Sequence, residues 1–269
     1  MRKTNWARGL GWLILLAAVG PAWEQAVPAE VRLPRVFGSH MVLQQEKPVQ
    51  VWGWSAANET VTVTLGADTQ AATANDRGEW KVTLPARKAG GPFTLKVRGS
   101  STVVFEDVLV GEVWLASGQS NMEMGIGASR DGKEEIAAAN YPGLRLFLVA
   151  NRWSPEPQAD LAAWKPGEAQ PDNHWKVCTP ETVAEGGWGG FSAAAYYFGR
   201  ELHQKRHVPV GLIDATWGGT RIESWTPPEG FAAVPALKSE YELVQLGDPR
   251  TPAHQQRQEP RFRMGDTDQ

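Results

Sequence analysis

From about Val31 to Val110 the chain alternates apolar and polar residues in short runs, and this pattern predicts β-strands. The runs are Pro48 to Trp54, Glu59 to Leu65, Glu79 to Leu84, Phe93 to Arg98 and Thr102 to Phe105. Val61-Thr62-Val63-Thr64-Leu65 alternates cleanly, which puts the valines and Leu65 on one face and the threonines on the other. Asn75-Asp76-Arg77-Gly78 and Gly90-Gly91-Pro92 are turn signals between such runs. Their regular spacing predicts a small antiparallel β-sandwich.

After Gly111 the period changes. Glu112 to Ala116, Leu144 to Val149 and Val208 to Ala215 are short apolar runs of the kind found in buried strands. A helix is predicted before the last of them, capped by Ser192, with Phe191, Ala194, Ala195, Phe198 and Leu202 forming an apolar stripe. Lys205, Arg206 and His207 complement its C-terminal dipole, and Pro209 discourages continuation. Strand, helix and strand joined by a right-handed crossover imply a parallel sheet covered by helices, hence an α/β unit after the sandwich.

Open α/β sheets place their sites at the carboxyl ends of the strands, and two loops fall there. The first follows Gly111-Glu112-Val113-Trp114-Leu115-Ala116 and presents Ser120 beside Gly118, Gln119 and Asn121. A glycine that allows a tight backbone path, followed by a serine between two polar side chains, suits a presented nucleophile. Position 122 is Met, so the run is not a Gly-x-Ser-x-Gly elbow. The second loop, Trp217-Gly218-Gly219-Thr220, offers paired glycines whose N–H groups are unobstructed, as an oxyanion hole requires. Taken singly, each loop also reads as an ordinary turn.

Composition narrows the classes. The 269 residues are 42% hydrophobic and 21% charged, with a formal net charge of −3 and scattered basic residues, which argues against a nucleic-acid partner. Cys178 is the one cysteine, so no intramolecular disulfide and no multi-cysteine zinc site can form. Thirteen tryptophans are the compositional oddity. Arg2, Lys3 and Arg8, an apolar run from Leu10 to Val19, and small residues through Ala29 read as a secretory signal peptide over 1–29. That run is too short to span a bilayer and no later one is longer, so the expectation is a protein without a membrane span, exported to the periplasm or outside the cell.

Three stretches resemble the sialate O-acetylesterase family of the SGNH (GDSL-like) hydrolases. They are His40 to Gln44 with Pro48 to Gly53 and Gly90-Gly91-Pro92; Gly111 to Met124; and Phe191 to Phe198 with Pro209 to Ile213 and Trp217 to Trp225. The resemblance implies an α/β protein in which a β-sandwich module, 30–110, precedes a partial SGNH three-layer domain with a parallel sheet, 111–246. It implies a carboxylic ester hydrolase that removes acetyl groups from carbohydrates, with acetylated glycans as substrate and no metal or organic cofactor. Ser120 would be the nucleophile; the N–H groups of Ser120, Gly218 and Gly219 would form the oxyanion hole; Gln119 and Asn121 would touch substrate. The family's later Gln-bearing block and its Asp-x-x-His pair are not found.

None of the five histidines has an Asp three residues before it; His254, six residues after Asp248, lies in a polar tail, 247–269, expected to be disordered after a short helix starting at Pro252. The expectation is therefore a C-terminally truncated family member, active or inactive. Two other readings use the same residues: a carbohydrate-binding protein without catalysis, and an inactive partial gene product. Glu112, Glu123 and Glu223 are read as structural carboxylates, and Asp214 as a group that caps a turn.

Overall fold

A computed structural model describes residues 30–154, 156–163 and 173–256. The expected signal peptide, 1–29, and the last residues of the expected tail, 257–269, lie outside the described residues. The strands are β1 (Val42–Gln44), β2 (Val49–Trp54), β3 (Thr60–Leu65), β4 (Asp68–Thr73), β5 (Glu79–Leu84), β6 (Gly90–Arg98), β7 (Thr102–Gly118), β8 (Tyr141–Leu148), β9 (Trp175–Cys178) and β10 (Val210–Thr216). The helices are α1 (Ser120–Glu123), α2 (Gly132–Ala138), α3 (Pro180–Val183), α4 (Ala193–Arg206), α5 (Pro228–Ala232) and α6 (Lys238–Gly247). The expected class holds: an antiparallel sandwich followed by an α/β unit with a parallel sheet.

One sheet runs through both parts in the order β4-β3-β6-β7-β10-β8-β9, and β2 pairs with β5 in a separate two-stranded sheet. The alternation read from Val61 to Leu65 is the burial pattern found: Val61, Val63 and Leu65 are fully buried. From the facing sheet Val49, Val51, Trp80, Val82 and Leu84 pack against the same core. Each such aliphatic side chain stabilises the fold by about 1.5–3 kcal/mol relative to exposure.

Strand β7 joins the parts. Its first half pairs antiparallel with β6, and its second half, Glu112 to Gly118, pairs parallel with β10. The expected boundary between residues 110 and 111 therefore falls inside a continuous strand. The sequence divides β7 in two because Val108 to Gly111 are all buried, which interrupts the alternation.

Strand β10 lies between β7 and β8 and runs parallel to both. Helix α4 covers one face of these strands, and the Ser192 hydroxyl caps it by accepting from the Ala195 N–H at 3.2 Å. The stripe that α4 buries differs from the expected one: Ala195, Tyr196 and Gly199 face the sheet, while Ala194 and Phe198 face out. Gly199 decides this rotation. A Cβ there would meet Leu212 Cδ1 at 2.6 Å, so only a glycine lets α4 sit this close to β10. Phe198 instead stacks edge-on against the exposed Trp114 of β7, centroids 4.9 Å apart.

The opposite face of the parallel sheet is partly open. Leu115 is 66% exposed, and with Phe147, Val149, Ile213 and Ala215 it lines an apolar cleft of about 390 Å3. Beyond α6, in the stretch expected to be a tail, His254 Nδ1 bonds the Leu246 carbonyl at 2.9 Å and residues 252–256 are helical. No helix of the described residues is long and apolar enough to cross a membrane.

Candidate active site

Strands β7 and β10 end level, with Gly118 opposite Thr216, so the loops that follow them leave the sheet side by side. The Trp217 N–H donates to the Gly118 carbonyl at 2.9 Å and locks the two loops together. Gly118 has φ +137°, a conformation that an L side chain rarely adopts. The chain then turns at once into α1, whose first residue is Ser120.

Gln119 caps this single turn. Its Oε1 accepts from the Ser120 N–H at 3.0 Å and from the Ser120 hydroxyl at 2.7 Å. Asn121, next along α1, points to solvent. Glu123 lies three residues after Ser120 and so on the same side of the turn. Its Oε2 accepts from the Gly218 N–H at 2.8 Å.

The two loops meet at Gly218. A Cβ built there would lie 3.7 Å from Ser120 Oγ and 2.3 Å from Glu123 Oε2, so a side chain would displace the carboxylate. Gly219 has φ +76° and open space around it. Of the residues read from sequence, the structure thus brings Ser120, Gln119 and Gly218 together, with Gly219 next to them in open space, and leaves Asn121 exposed outside the hydrogen bonds of the two loops. Two of the three expected oxyanion donors are already engaged: Ser120 N–H by the Gln119 amide oxygen, and Gly218 N–H by Glu123.

Glu123, read as a structural carboxylate, is the residue that ties the two loops. Its i+3 spacing from Ser120 signals only that the two side chains share one face of the turn; nothing local points to Gly218. Asp214 is nearly buried at the end of β10, where its carboxylate accepts from the Ser192 N–H at 3.1 Å and the Thr216 hydroxyl at 2.6 Å. Burial pushes its carboxyl above the ordinary range, opposed by those two bonds, with Glu123 adding to the rise.

No histidine among the described residues hydrogen-bonds the Ser120 hydroxyl. His40 Nδ1 is 2.7 Å from Asp107 Oδ2, but about a dozen residues of strand, roughly 35 Å at 3.3 Å per residue, separate Asp107 from the serine loop. His203 Nδ1 bonds the Val208 carbonyl at 2.7 Å, and His254 bonds Leu246. Among the described residues no group of three or more His, Cys, Asp or Glu side chains could hold a metal ion.

Residues 110–244 match the family model of carbohydrate esterases described as sialic acid-specific acetylesterases. A sialate O-acetylesterase of Rattus norvegicus is 32% identical over 247 residues, covering 86% of this chain and 44% of the relative. The sialate O-acetylesterase of Homo sapiens is 33% identical over 215 residues, 75% of this chain and 40% of the relative. A crystal structure of a carbohydrate acetylesterase from Xanthomonas citri superposes with a TM-score of 0.67 at 38% identity, over 79% of this chain and 45% of that one. The chain thus spans less than half the length of these relatives.

Proposed function

Because the chain belongs to the sialic acid-specific acetylesterase family of carbohydrate esterases, we propose that it acts on O-acetyl esters of sugars, with Ser120 as the residue acylated. The observation that carries this is the meeting of the Ser120 and Gly218 loops at the carboxyl ends of β7 and β10. Ser120 Oγ would attack the acetyl carbonyl carbon, forming the ester bond to the enzyme as the sugar oxygen leaves with the proton the serine gives up, and water would then release acetate and restore the hydroxyl. The developing oxyanion would be met by the N–H groups of Gly219, Gly218 and Ser120, a donor of this kind contributing about 3 kcal/mol.

In the resting arrangement Gln119 Oε1 and Glu123 Oε2 sit on two of those donors. A substrate oxygen would replace the Gln119 oxygen at Ser120, so Gln119 acts as a placeholder that keeps the donor oriented. An amide oxygen is too weakly basic to take the serine proton, so Gln119 orients the hydroxyl without activating it. The acid–base half of the reaction is assigned to no residue of this chain. Residues 1–29 would direct export to the periplasm or beyond, and N-terminal sequencing of secreted protein should then begin near residue 30.

A second reading, carbohydrate binding without turnover, is favoured by the hydrogen bond from the Ser120 hydroxyl to an amide rather than to an imidazole. A fluorophosphonate probe separates the two. Covalent labelling of the natural sequence, lost in Ser120→Ala, supports the esterase; no labelling, together with no acetate release from p-nitrophenyl acetate, leaves the binder.

A further inference from the structure

The outer face of the β2–β5 pair carries indoles where the wet face of a two-sided sheet ordinarily shows small or charged residues. Along β2, Val49 and Val51 enter the core while Gln50, Trp52 and Trp54 alternate outward. Across the ladder, Lys81 stands opposite Trp52, and Glu79 opposite Trp54. These residues line a cleft of about 640 Å3 walled on one side by Ala159. That volume lies within the range usual for small-ligand sites, roughly 300–1,000 Å3.

Both indoles are set in advance. Phe37 packs edge-on against Trp52 with centroids 4.9 Å apart, leaving Trp52 40% exposed. The Arg32 guanidinium lies 4.9 Å from the Trp54 ring centroid. Aromatic surfaces already held in place lose little freedom when a ligand stacks on them. At the rim, Arg77 and Asn75 hold the Glu79 carboxylate at 2.7 and 2.9 Å. The Gln50 amide and the Lys81 ammonium make no hydrogen bond or ion pair among the described residues, so both are available to a ligand.

We propose that this cleft binds an oligosaccharide, with one sugar ring stacked on Trp52 and its hydroxyls met by Gln50, Lys81 and Glu79. A pyranose has an apolar C–H face that suits an indole and an edge of hydroxyls that both donate and accept. The rim supplies a donor-only ammonium, an acceptor-only carboxylate and an amide that does both. A nucleic acid would call for a run of cations along its phosphates, whereas Lys81 is the single cation among the residues lining this cleft, and the nearby Arg77 is paired with Glu79. Trp52 and Ala159 also line the apolar cleft that holds Leu115 and Ala215, on the two strands that lead to the Ser120 and Gly218 loops. A glycan held here would lie beside a trough running toward the candidate site.

The sugar class of this ligand rests on the reading of the chain as a carbohydrate-acting protein; the cleft itself does not. The test is calorimetric titration of the full chain carrying Ser120→Ala with xylohexaose and with 3′-sialyllactose. Binding of at least one is expected, weakened at least about tenfold by Trp52→Ala, as for a central aromatic anchor. Gln50→Ala and Lys81→Ala should each weaken it severalfold while the melting temperature holds. Trp114→Ala, an exposed indole stacked on Phe198 elsewhere, should bind as the parent does. No binding of either sugar, or binding that survives both Trp52→Ala and Gln50→Ala, overturns the proposal. Because Ser120 is absent from the titrated protein, retained binding beside failed probe labelling of the natural sequence would sink the esterase reading alone. Labelling without sugar binding would sink the cleft alone.

Discussion

Arg145, buried on β8, places its guanidinium against Asp107 on β7, with Nη1 2.6 Å from Oδ2 and Nη2 3.2 Å from Oδ1. The same Nη1 reaches the His40 carbonyl at 3.2 Å, and Nε donates to the Pro142 carbonyl at 2.9 Å. One side chain of the α/β unit is thereby fastened to two residues of the sandwich. Asp107 and His40 both adopt positive φ, +53° and +69°, conformations this clasp helps to hold.

The bond from Arg145 holds the Asp107 carboxyl below the usual carboxylate range, with His40 adding to the effect. A depressed folded pKa contributes stability that is present above the unfolded value, about 3.9, and lost as pH falls through the folded one. Asp107→Asn should therefore lower the melting temperature at pH 7 and flatten its fall below pH 4. Thermal melts from pH 2 to 7 check this, and a variant whose curve stays parallel to the parent throughout would refute it. Arg145→Met removes the same clasp without leaving a buried cation, and is expected to destabilise by about 1–3 kcal/mol.

The Glu123 link to Gly218 distinguishes two adjacent glycines. Gly218→Ala pushes the carboxylate from its place and forfeits a charge-assisted hydrogen bond, a loss of about 1.5–3 kcal/mol. Gly219→Ala meets no neighbour, yet must hold φ +76° with a side chain, which costs roughly 1–2 kcal/mol. In a Glu123→Ala background the first penalty should shrink and the second should persist. Denaturant unfolding of the three single and two double variants, beside the parent, gives the coupling, and equal coupling for both glycines would contradict the assignment.

These loops show how far sequence reaches. Ser120 and the Gly218-Gly219 pair were legible because the strands before them are apolar and the residues after them are small and polar. The partnership of Glu123 with Gly218 was not, since 95 residues separate them and only the parallel pairing of β7 with β10 brings them together. Strand β4 was missed for another reason. Asp68-Thr69-Gln70-Ala71-Ala72-Thr73 lies at a sheet edge and buries neither face, so it shows no alternation. In α4 the expected stripe includes Phe198 because apolar character alone places it there, whereas the close approach at Gly199 sets which side faces the sheet.

Cys178 is fully buried at the end of β9, and burial pushes its thiol up to about 12. Reactivity needs an accessible thiolate, so native protein at pH 8 should resist iodoacetamide and react only on unfolding. Mass spectrometry with and without denaturant tests this; rapid labelling of native protein would contradict the burial.

Asp214 carries the opposite pH dependence to Asp107. Its folded pKa is raised by burial, so between the unfolded value, about 3.9, and the raised one the native state holds more proton than the unfolded chain. Stability from this residue is present at low pH and is lost as pH rises through that window. Asparagine at this position keeps a carbonyl oxygen for the Ser192 N–H and an N–H2 for the Thr216 oxygen, and has no charge to bury. The difference in melting temperature between Asp214→Asn and the parent should therefore move in favour of the variant as pH rises from 4 to 7. Asp107 titrates alike in both proteins and cancels from that difference. A difference that is constant over the range, or that moves toward the parent with rising pH, would show that the two hydrogen bonds outweigh the burial of the charge.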